Sequence, residues 1–388
     1  MSIEKLLSLI PGNLLKQLAI ETGVDYYSKK LQGEVIFKLL LYCIITHKDN
    51  SLRTMESAYE KLAFQLLNQR YNQCSVKFNS ISERLSTINV SFFEKIYNEL
   101  VLAYKQHIND GEKIIRFDST IIALSTRLLE IGYHIKDGDA EQYRQLKFTI
   151  GYSDIPEVVH FFHEERYTSE NIALKESILA QSQKEATSIK VFDRGITARK
   201  AYDEFTENNI QFISRLNNNA KYTGLTGTTE QQSLQTKTLT IIDDQWCYLY
   251  SSNKQKTKYP LRRIEAIQHA NGKSIIFITN IKHLDAITIT EIYKRRWDIE
   301  VFFKFIKQLL NFKNLLNRSG NGIQVILYVT MIAAILLAAY KRINHLKGFK
   351  IAKQKFEQEL ETTILKSLIT LCGGNPYLLK TLTTQQDP

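Results

Sequence analysis

The segment from Lys113 to Leu216 alternates between β-type and helical patterns, and this alternation constrains the fold more than any other feature of the chain. Three β-type runs come first, "KIIRFDSTIIAL", "QLKFTIGYS" and "PEVVHFFHEER". A helical pattern, "NIALKESILAQSQK", follows, and then a strand ending at Asp193, a turn at Gly195, a helix and the strand "IQFISRL". Strands that alternate with helices in this way predict a mixed α/β sheet.

The regions around this segment have different patterns. Residues 1–110 show one helical segment after another, which predicts an α-helical N-terminal domain that either binds DNA or only packs. Residues 216–284 are rich in Asn, Thr, Gln and Gly and contain four short strand patterns, "TKTLTIID", "WCYLYSS", "LRRIEAIQ" and "SIIFITN". This stretch is too long for a loop and predicts a β-rich insertion. The core would then comprise residues 111–215 and 285–345, followed by a basic helical tail at 346–388.

Charge is concentrated near the C-terminal end. The 388 residues have a net charge of +11, and residues 291–388 hold 15 basic and 7 acidic residues. Such an excess indicates a polyanionic partner, with an ordinary solvated basic face as the alternative. The four cysteines have no paired spacing, so neither a zinc site nor a disulfide framework is predicted, and a reducing cytosol fits. The first residues do not have the pattern of a secretory signal.

One segment is apolar enough to raise the question of a membrane. The stretch "IQVILYVTMIAAILLAAY", Ile323–Tyr340, is near the lower limit of a spanning length and contains Gln324 and Thr330. A fully buried helix is the better interpretation, so no membrane partner is expected.

Three acidic residues stand where carboxylates can bind metal ions. Asp118 and Asp193 lie at or near predicted strand ends, and Glu300 lies on a helix expected to pack on the sheet. Hard divalent cations such as Mg²⁺ prefer carboxylate oxygens. Two such ions can activate an attacking oxygen and stabilise the leaving oxygen of a phosphodiester. The three residues are therefore candidate metal ligands for two Mg²⁺ ions, which Mn²⁺ could replace.

The helix predicted for Tyr293–Lys307, "YKRRWDIEVFFKFIK", is amphipathic in an informative way. At about 100° per residue its polar side chains fall on one face and Ile299, Phe302 and Phe305 on the other. An ordinary solvated helix would look the same. The functional alternative is that this row of polar side chains, the polar stripe, faces metal ions and phosphates. Guanidinium and ammonium groups bind phosphates well.

The spacing of this stripe resembles a known family. Four residues match the pattern Y-x2-R-x3-E-x6-K of DDE transposases of the insertion-sequence-4 family, namely Tyr293, Arg296, Glu300 and Lys307. "FDSTII" around Asp118 and "FDRG" around Asp193 are similar to that family's two aspartate boxes. The resemblance covers roughly residues 111–345 and includes an insertion between the second Asp and the Glu.

The resemblance implies an RNase H-like core and cut-and-paste transposition of an insertion sequence in the bacterial cytoplasm. The catalytic and metal-binding residues would be Asp118, Asp193 and Glu300, and phosphates near the transposon end would meet Tyr293, Arg296 and Lys307. Lys304 and Trp297 are added as candidate DNA-binding residues because they lie on or beside the stripe. The partners would be double-stranded DNA, as transposon ends and target, and a second copy in a synaptic homodimer; cleavage would pass through a hairpin.

Several other residues, and two other functions, are alternatives to this interpretation. His160 and His163 are expected to be ordinary strand residues because the predicted metals prefer oxygen. Trp246 is expected in the core, although an aromatic ring can also stack on a flipped base. Ser119 has no readable His/Asp partner for a nucleophilic role. The alternative functions are a structure-specific nuclease and a catalytically silent DNA-binding descendant of a transposase.

Overall fold

The structure is a computed structural model that describes residues 6–68, 75–108, 113–124, 133–135, 143–162, 164–184, 187–225, 234–310, 316–317 and 319–379. Contacts divide the chain into two compact units. One comprises Met1–Asn109 and Lys304–Pro388, and the other comprises Asp110–Phe303. The predicted four-part division of the chain remains a prediction.

The N-terminal region is helical, as predicted. Its helices are α1 (Gly12–Thr22), α2 (Gly33–Thr46), α3 (Leu52–Glu60), α4 (Leu62–Asn68), α5 (Phe78–Thr87) and α6 (Val90–Ile108). Ser51 caps α3, where its hydroxyl accepts a hydrogen bond from the Thr54 N–H at 3.0 Å. Gly23 ends α1 in the left-handed conformation, with φ of 61°, which glycine adopts without a steric penalty.

The Asp110–Phe303 unit is built on one mixed sheet. Within the described residues its strands are β1 (Ile114–Leu124), β2 (Tyr133–Ile135), β3 (Tyr143–Tyr152), β4 (Pro156–Phe162), β5 (Ile189–Phe192), β6 (Phe212–Leu216), β7 (Tyr222–Gly224), β8 (Leu234–Gln235), β9 (Leu239–Leu249), β10 (Leu261–Gln268) and β11 (Ser274–Thr279). The main path runs β2-β3-β1-β5-β6-β11-β10-β9-β7, with β4 on β3 and β8 on β9. Only the pairs β1–β5 and β5–β6 are parallel among the described pairings. The predicted mixed α/β class is confirmed.

The remaining helices complete the two units. They are α7 (Glu170–Lys184), α8 (Arg199–Glu207), α9 (Ala286–Lys294), α10 (Trp297–Leu309), α11 (Gly320–Ile343) and α12 (Phe349–Leu371). The boundary between the units falls inside α10.

Helices cover both faces of the sheet. On one face Phe192 and Phe212 pack with apolar residues of α7 and α8, among them Ile178 and Phe205. On the other face Val191 and Ile213 pack with residues of α9. Successive strand residues point to opposite faces, so "IKVF" has Ile189 and Val191 on one face and Phe192 on the other. Lys190 is buried as well, and its ammonium donates to the Ser188 carbonyl oxygen at 3.2 Å. The resulting three-layer core is that of an RNase H-like fold.

The strands predicted for the insertion extend the same sheet, and one prediction there was wrong. The sequence suggested two strands, "TKTLTIID" ending at Asp243 and "WCYLYSS" beginning at Trp246, but β9 runs through both without a break. The two carboxylates pair with arginines of β10: Asp244 with Arg262 at 2.6 Å and Asp243 with Arg263 at 2.9 Å. Cross-strand ion pairs hold in the sheet two acidic residues that would otherwise favour a turn.

The apolar helix α11 is at the centre of its own unit. By length and composition it is the one helix of the described residues that could cross a membrane, but 94% of its most apolar window is buried. It packs against α2, α5, α6 and α12. The Tyr340 hydroxyl donates to Glu359 Oε1 at 2.6 Å, which satisfies a polar group at the end of this buried surface. The prediction of a buried helix is confirmed.

Candidate active site

Asp118 and Asp193 lie side by side in the structure. Strands β1 and β5 are parallel neighbours, and Phe117 is paired with Phe192. The next residue of each chain segment is an aspartate, so the two carboxylates stand at equivalent positions on strands about 4.8 Å apart. Because β5 ends at Phe192, Asp193 is already in the loop, where its side chain is half-buried. The parallel register brings together two residues 75 positions apart in the sequence.

The surroundings of Asp118 make its carboxylate costly to ionise. Burial, together with the smaller effect of the negative charges of Glu170 and Glu300, raises the pKa of Asp118 to about 6. The Ser119 N–H, which donates to Asp118 Oδ1 at 2.8 Å, and the charge of Arg296 act in the opposite direction. A carboxyl group in this position gains stability from any cation that reaches it.

Asp193 contacts the segment that carries the predicted phosphate-binding residues. The Tyr293 hydroxyl donates to Asp193 Oδ1 at 3.3 Å. Tyr293 is buried against Phe277, and burial together with the charge of Asp193 raises the pKa of its phenol. The tyrosine therefore stays protonated and remains a hydrogen-bond donor.

Arg296 and Glu300 form an ion pair in which the guanidinium donates to the carboxylate. Burial lowers the pKa of Arg296, but the hydrogen bond to Glu300 and the charges of Asp193 and Glu300 raise it by more. Arg296 is thus a half-buried cation placed among the candidate acids. Together, these contacts join Asp118, Asp193, Tyr293, Arg296 and Glu300 in one cluster.

The single helix predicted for Tyr293–Lys307 is wrong. Helix α9 ends at Lys294 and α10 begins at Trp297, with Arg295 and Arg296 between them. Backbone bonds of the tighter i to i+3 type cross the break, from Asp298 N–H to the Arg295 carbonyl oxygen and from Ile299 N–H to the Arg296 carbonyl oxygen.

The break is stabilised from the sheet. The guanidinium of Arg116, which is buried on β1, donates to the Arg295 carbonyl oxygen at 2.7 Å and to the Ser153 carbonyl oxygen at 3.1 Å. Asp298 lies 3.7 Å from the same guanidinium. Arg116 therefore positions the residue directly before Arg296.

The apolar side of α10 packs on the sheet. Phe302 stacks on Tyr152 with ring centres 4.7 Å apart, and Phe303 meets Phe148 edge-on at 6.1 Å. These contacts place Glu300 near Asp118. Asp118 lies in the middle of β1, beside the end of β5, so the expectation that it lies at or near a strand end was wrong. Trp297, in contrast, is 62% exposed.

Two of the predicted DNA-binding residues lie in the other unit. Helix α10 continues past the boundary between the two units and carries Lys304 and Lys307 about one and two turns after Glu300. Lys304 is exposed and Lys307 is half-buried. The roles assigned to these lysines and to Trp297 remain predictions.

Comparison with known proteins decides the family. The family model described as "Transposase DDE domain" matches residues 109–336, which is more than half of the chain. The chain belongs to the DDE transposase family.

Individual relatives have names of the same kind. "Putative transposase y4zB" of Sinorhizobium fredii is 36% identical over 28% of this chain and 30% of its own length. "Probable transposase for insertion sequence element IS5377" of Geobacillus stearothermophilus is 30% identical over 39% of each chain. "Putative transposase for insertion sequence element IS4SA" of Synechocystis is 24% identical over 70% of this chain and 78% of its own length. The chain thus spans about a third of the length of the first two relatives, and assignment to the insertion-sequence-4 branch remains a prediction.

Glu170 lies at the edge of the cluster around Asp118 and Asp193 and was not predicted from the sequence. It is the first residue of α7, and a Cβ atom placed on Gly195 would lie 3.4 Å from Glu170 Cβ, so the side chain packs on the loop that follows Asp193. Its carboxylate pairs at 2.9 Å with the Nζ of Lys147, a lysine whose side chain is 1% exposed. A lysine inside the β-type run "QLKFTIGYS" was the signal that could have prompted a search for an acidic partner.

The N-terminal end of α7 also holds the loop after Asp193 in place. Asn171 Oδ1 accepts hydrogen bonds from the Thr197 N–H at 2.6 Å and the Ala198 N–H at 2.9 Å. Ser214 Oγ donates to the Asp193 carbonyl oxygen at 3.3 Å. Asp193 is therefore fixed from α7 and from β6, and sequence spacing gives no sign of either contact.

The remaining predicted residues take no part in the cluster as far as the described contacts extend. Ser119 Oγ is hydrogen-bonded to Thr149 Oγ1 at 2.8 Å across β1 and β3. His160 lies on β4 beside Phe162, and His163 lies outside the described residues. Trp246 is half-buried in β9.

The donor chemistry of the cluster fits a hard divalent cation, since its donors are carboxylate oxygens, and burial together with like charges already raises the pKa of Asp118. Among the described residues, however, no three Asp, Glu, His or Cys side chains converge closely enough to enclose a metal ion. Glu300 is paired with Arg296 instead. Membership of the DDE transposase family implies dependence on a divalent metal, and the identity of that metal is a separate question.

Proposed function

We propose that this protein is a DNA transposase that cuts the ends of an insertion sequence and joins them to target DNA in the bacterial cytoplasm. The observation that supports this most directly is the parallel register that sets Asp118 beside Asp193, with Glu300 brought to the same edge by α10. Family membership supplies the reaction class.

Asp118, Asp193 and Glu300 would hold the divalent ions, Mg²⁺ with Mn²⁺ as a substitute. When bound, a pair of such ions activates the attacking oxygen and stabilises the leaving oxygen of a phosphodiester. An all-oxygen donor set agrees with these metals better than with zinc.

Arg296 couples DNA binding to the availability of Glu300. In the absence of DNA its guanidinium neutralises the Glu300 carboxylate. A phosphate is a good bidentate partner for the same guanidinium, so an incoming DNA strand would compete for Arg296 and release Glu300. Tyr293, held as a donor by its buried position, would contact Asp193 or a neighbouring phosphate.

The basic residues that follow Glu300 on α10 would bind the transposon end. Lys304 and Lys307 lie on α10 after Glu300, and Trp297 presents an exposed ring at the start of that helix. We further propose that two copies pair in a synaptic homodimer. In each copy hydrolysis would free a 3′-hydroxyl, and this hydroxyl would attack the opposite strand to form a hairpin that is reopened before strand transfer.

The test is a cleavage assay with purified protein, Mg²⁺ and a labelled duplex that carries the inverted repeats flanking the coding region. Products are resolved on a denaturing gel for the wild type, for Asp193→Ala and for Asp49→Ala, which changes an exposed aspartate in the other unit. Nicks or hairpins at the repeat boundary that only Asp193→Ala abolishes would support the proposal. DNA binding without cleavage by the wild type would favour a silent descendant, and cleavage without joining to target would favour a nuclease.

A further inference from the structure

A basic cavity lies within the Asp110–Phe303 unit. Its volume is about 920 Å³, and we call it the Lys221 cavity. The residues that matter for its chemistry are Arg199, Asn217, Lys221, Tyr222, Tyr250 and Lys254. No carboxylate lines it among the described residues, so its charge is positive.

Backbone hydrogen bonds fix the loops that carry these cations. The Tyr250 N–H donates to the Lys221 carbonyl oxygen at 3.0 Å, and Arg199 Nε donates to the Tyr250 carbonyl oxygen at 3.4 Å. The Lys254 N–H donates to the Ser251 carbonyl oxygen at 3.0 Å, in a turn where Lys254 has a φ of 58°. The turn fixes the backbone of Lys254 before a ligand binds, so binding costs little backbone conformational entropy.

The cations have no acidic partners in the described part of the chain. No ion pair involves Arg199, Lys221 or Lys254 among the described residues, although exposed Lys258, nearby in the sequence, is paired with Glu207. Tyr222 is 41% exposed, and the guanidinium of Arg263 lies over its ring at 4.5 Å. Unpaired cations beside tyrosine rings and amide side chains are the combination that binds a nucleic-acid backbone.

The position of the cavity relates it to the candidate acids. Strand β6 is the parallel neighbour of β5, and Asn217 directly follows β6 as Asp193 directly follows β5. The carboxyl ends of parallel strands meet at one edge of a sheet, so Asn217 lies one strand from Asp193. Arg199 follows Asp193 by six residues, whereas Lys221 and Tyr250 flank β7 and β9, farther along the sheet. A DNA strand has one phosphate per about 3.4 Å of helix axis, so a strand that passes Asp193 presents several further phosphates along the sheet between β5 and β9.

We infer that the Lys221 cavity binds the phosphodiester backbone of DNA a few nucleotides from the bond that is cleaved. Lys221, Lys254 and Arg199 contact phosphates there, and Tyr222 supports a sugar or a base. This inference rests on the proposed function and adds a second DNA contact that lies on the sheet and its loops, separate from the α10 lysines.

The test compares charge reversals at matched positions. Lys221→Glu, Lys254→Glu and the double variant are compared with Lys282→Glu, a reversal at an exposed lysine that follows β11 at the opposite edge of the sheet. Binding is measured by fluorescence anisotropy across a salt series, with one duplex bearing the inverted repeat and one of unrelated sequence. The double variant is expected to weaken binding about tenfold and to lower the salt slope by about two, because each lost phosphate contact lowers it by about 0.9.

Each outcome decides a specific point. If the double variant binds both duplexes more weakly, the cavity binds any DNA, target included. If it binds only the repeat duplex more weakly, the cavity binds the transposon end. A double variant that loses no more affinity than Lys282→Glu overturns the inference. If charge reversal unfolds the protein, Lys221→Gln with Lys254→Gln makes the same comparison. Binding is read without cleavage, so inactivity of the wild type would contradict the proposed function and leave this result standing.

Discussion

Arg296 and Glu300 are joined by an ion pair across one helical turn, at the start of the helix that follows a break in the chain. The pair places a cation among the candidate metal ligands. It neutralises Glu300 and contributes to the charge felt by Asp118 and Asp193. The proposed role of Glu300 as a metal ligand therefore requires a metal ion to replace Arg296 at its carboxylate.

Replacing Glu300 by Gln should abolish cleavage and leave DNA binding largely intact. The substitution removes a carboxylate ligand but no cation, and Arg296 becomes free for phosphate. The measurement is single-turnover cleavage beside an equilibrium binding assay, with Glu291→Gln as the control because Glu291 is an exposed acid on the preceding helix. Full cleavage by the Glu300→Gln variant would remove Glu300 from the site.

Replacing Lys307 by Ala should weaken complexes with the transposon end. One lost phosphate contact lowers the slope of log affinity against log salt by about 0.9. The slope is measured by anisotropy between low and moderate salt, and Lys282→Ala is the control for loss of one positive charge. An unchanged slope for Lys307→Ala would place this lysine outside the DNA interface.

Asp118 should make folding less favourable as the pH rises. Its pKa in the folded protein is raised by burial to about 6, above the ordinary 3.8, so its stabilising contribution is present below about pH 4 and is lost through about pH 6. In EDTA, Asp118→Asn should therefore gain up to about 3 kcal/mol in free energy of unfolding over the wild type between pH 4 and pH 8. Urea unfolding at several pH values measures this. A difference that does not vary with pH would contradict the assignment.

Divalent metal should stabilise the wild type and not the Asp118→Asn variant. A metal at 100 times its dissociation constant adds about 2.7 kcal/mol to the stability of the state that binds it. Thermal unfolding with Mg²⁺ or Mn²⁺ at pH 8 detects the shift, and cleavage should resist a zinc-selective chelator. Loss of cleavage with that chelator would bring His160 and His163 back into consideration.

Replacing Asn171 by Ala should reduce cleavage while DNA affinity stays near that of the wild type. The Asn171 side chain accepts two backbone N–H groups of the loop after Asp193, and each such bond contributes about 1 kcal/mol. The loop would then hold Asp193 less firmly. Comparing cleavage rate and affinity with those of Asn208→Ala, at the end of α8, separates positioning from general destabilisation. Equal cleavage by both variants would contradict the positioning role.

Local pattern predicted the strands and most helices well because burial on a sheet or a helix face leaves a periodic trace. It failed where an interaction distant in sequence overrides the local preference. The pattern ends one strand at Asp243 and begins the next at Trp246, but arginines of β10 pair with Asp243 and Asp244 and keep β9 continuous. Tyr293–Lys307 looks like one helix, but Arg116 binds the carbonyl oxygen at the break.

The sequence by itself determined the mixed α/β class, the buried apolar helix and the three candidate acids with their Tyr, Arg and Lys companions. These follow from residue type and spacing, which are local properties of the chain. Tertiary structure alone decided that Asp118 and Asp193 are neighbours, that Glu170 and Asn171 border them, and that Arg296 forms an ion pair with Glu300. The reason is physical: strand register, burial and charge pairing join residues far apart in sequence, and no local pattern encodes them.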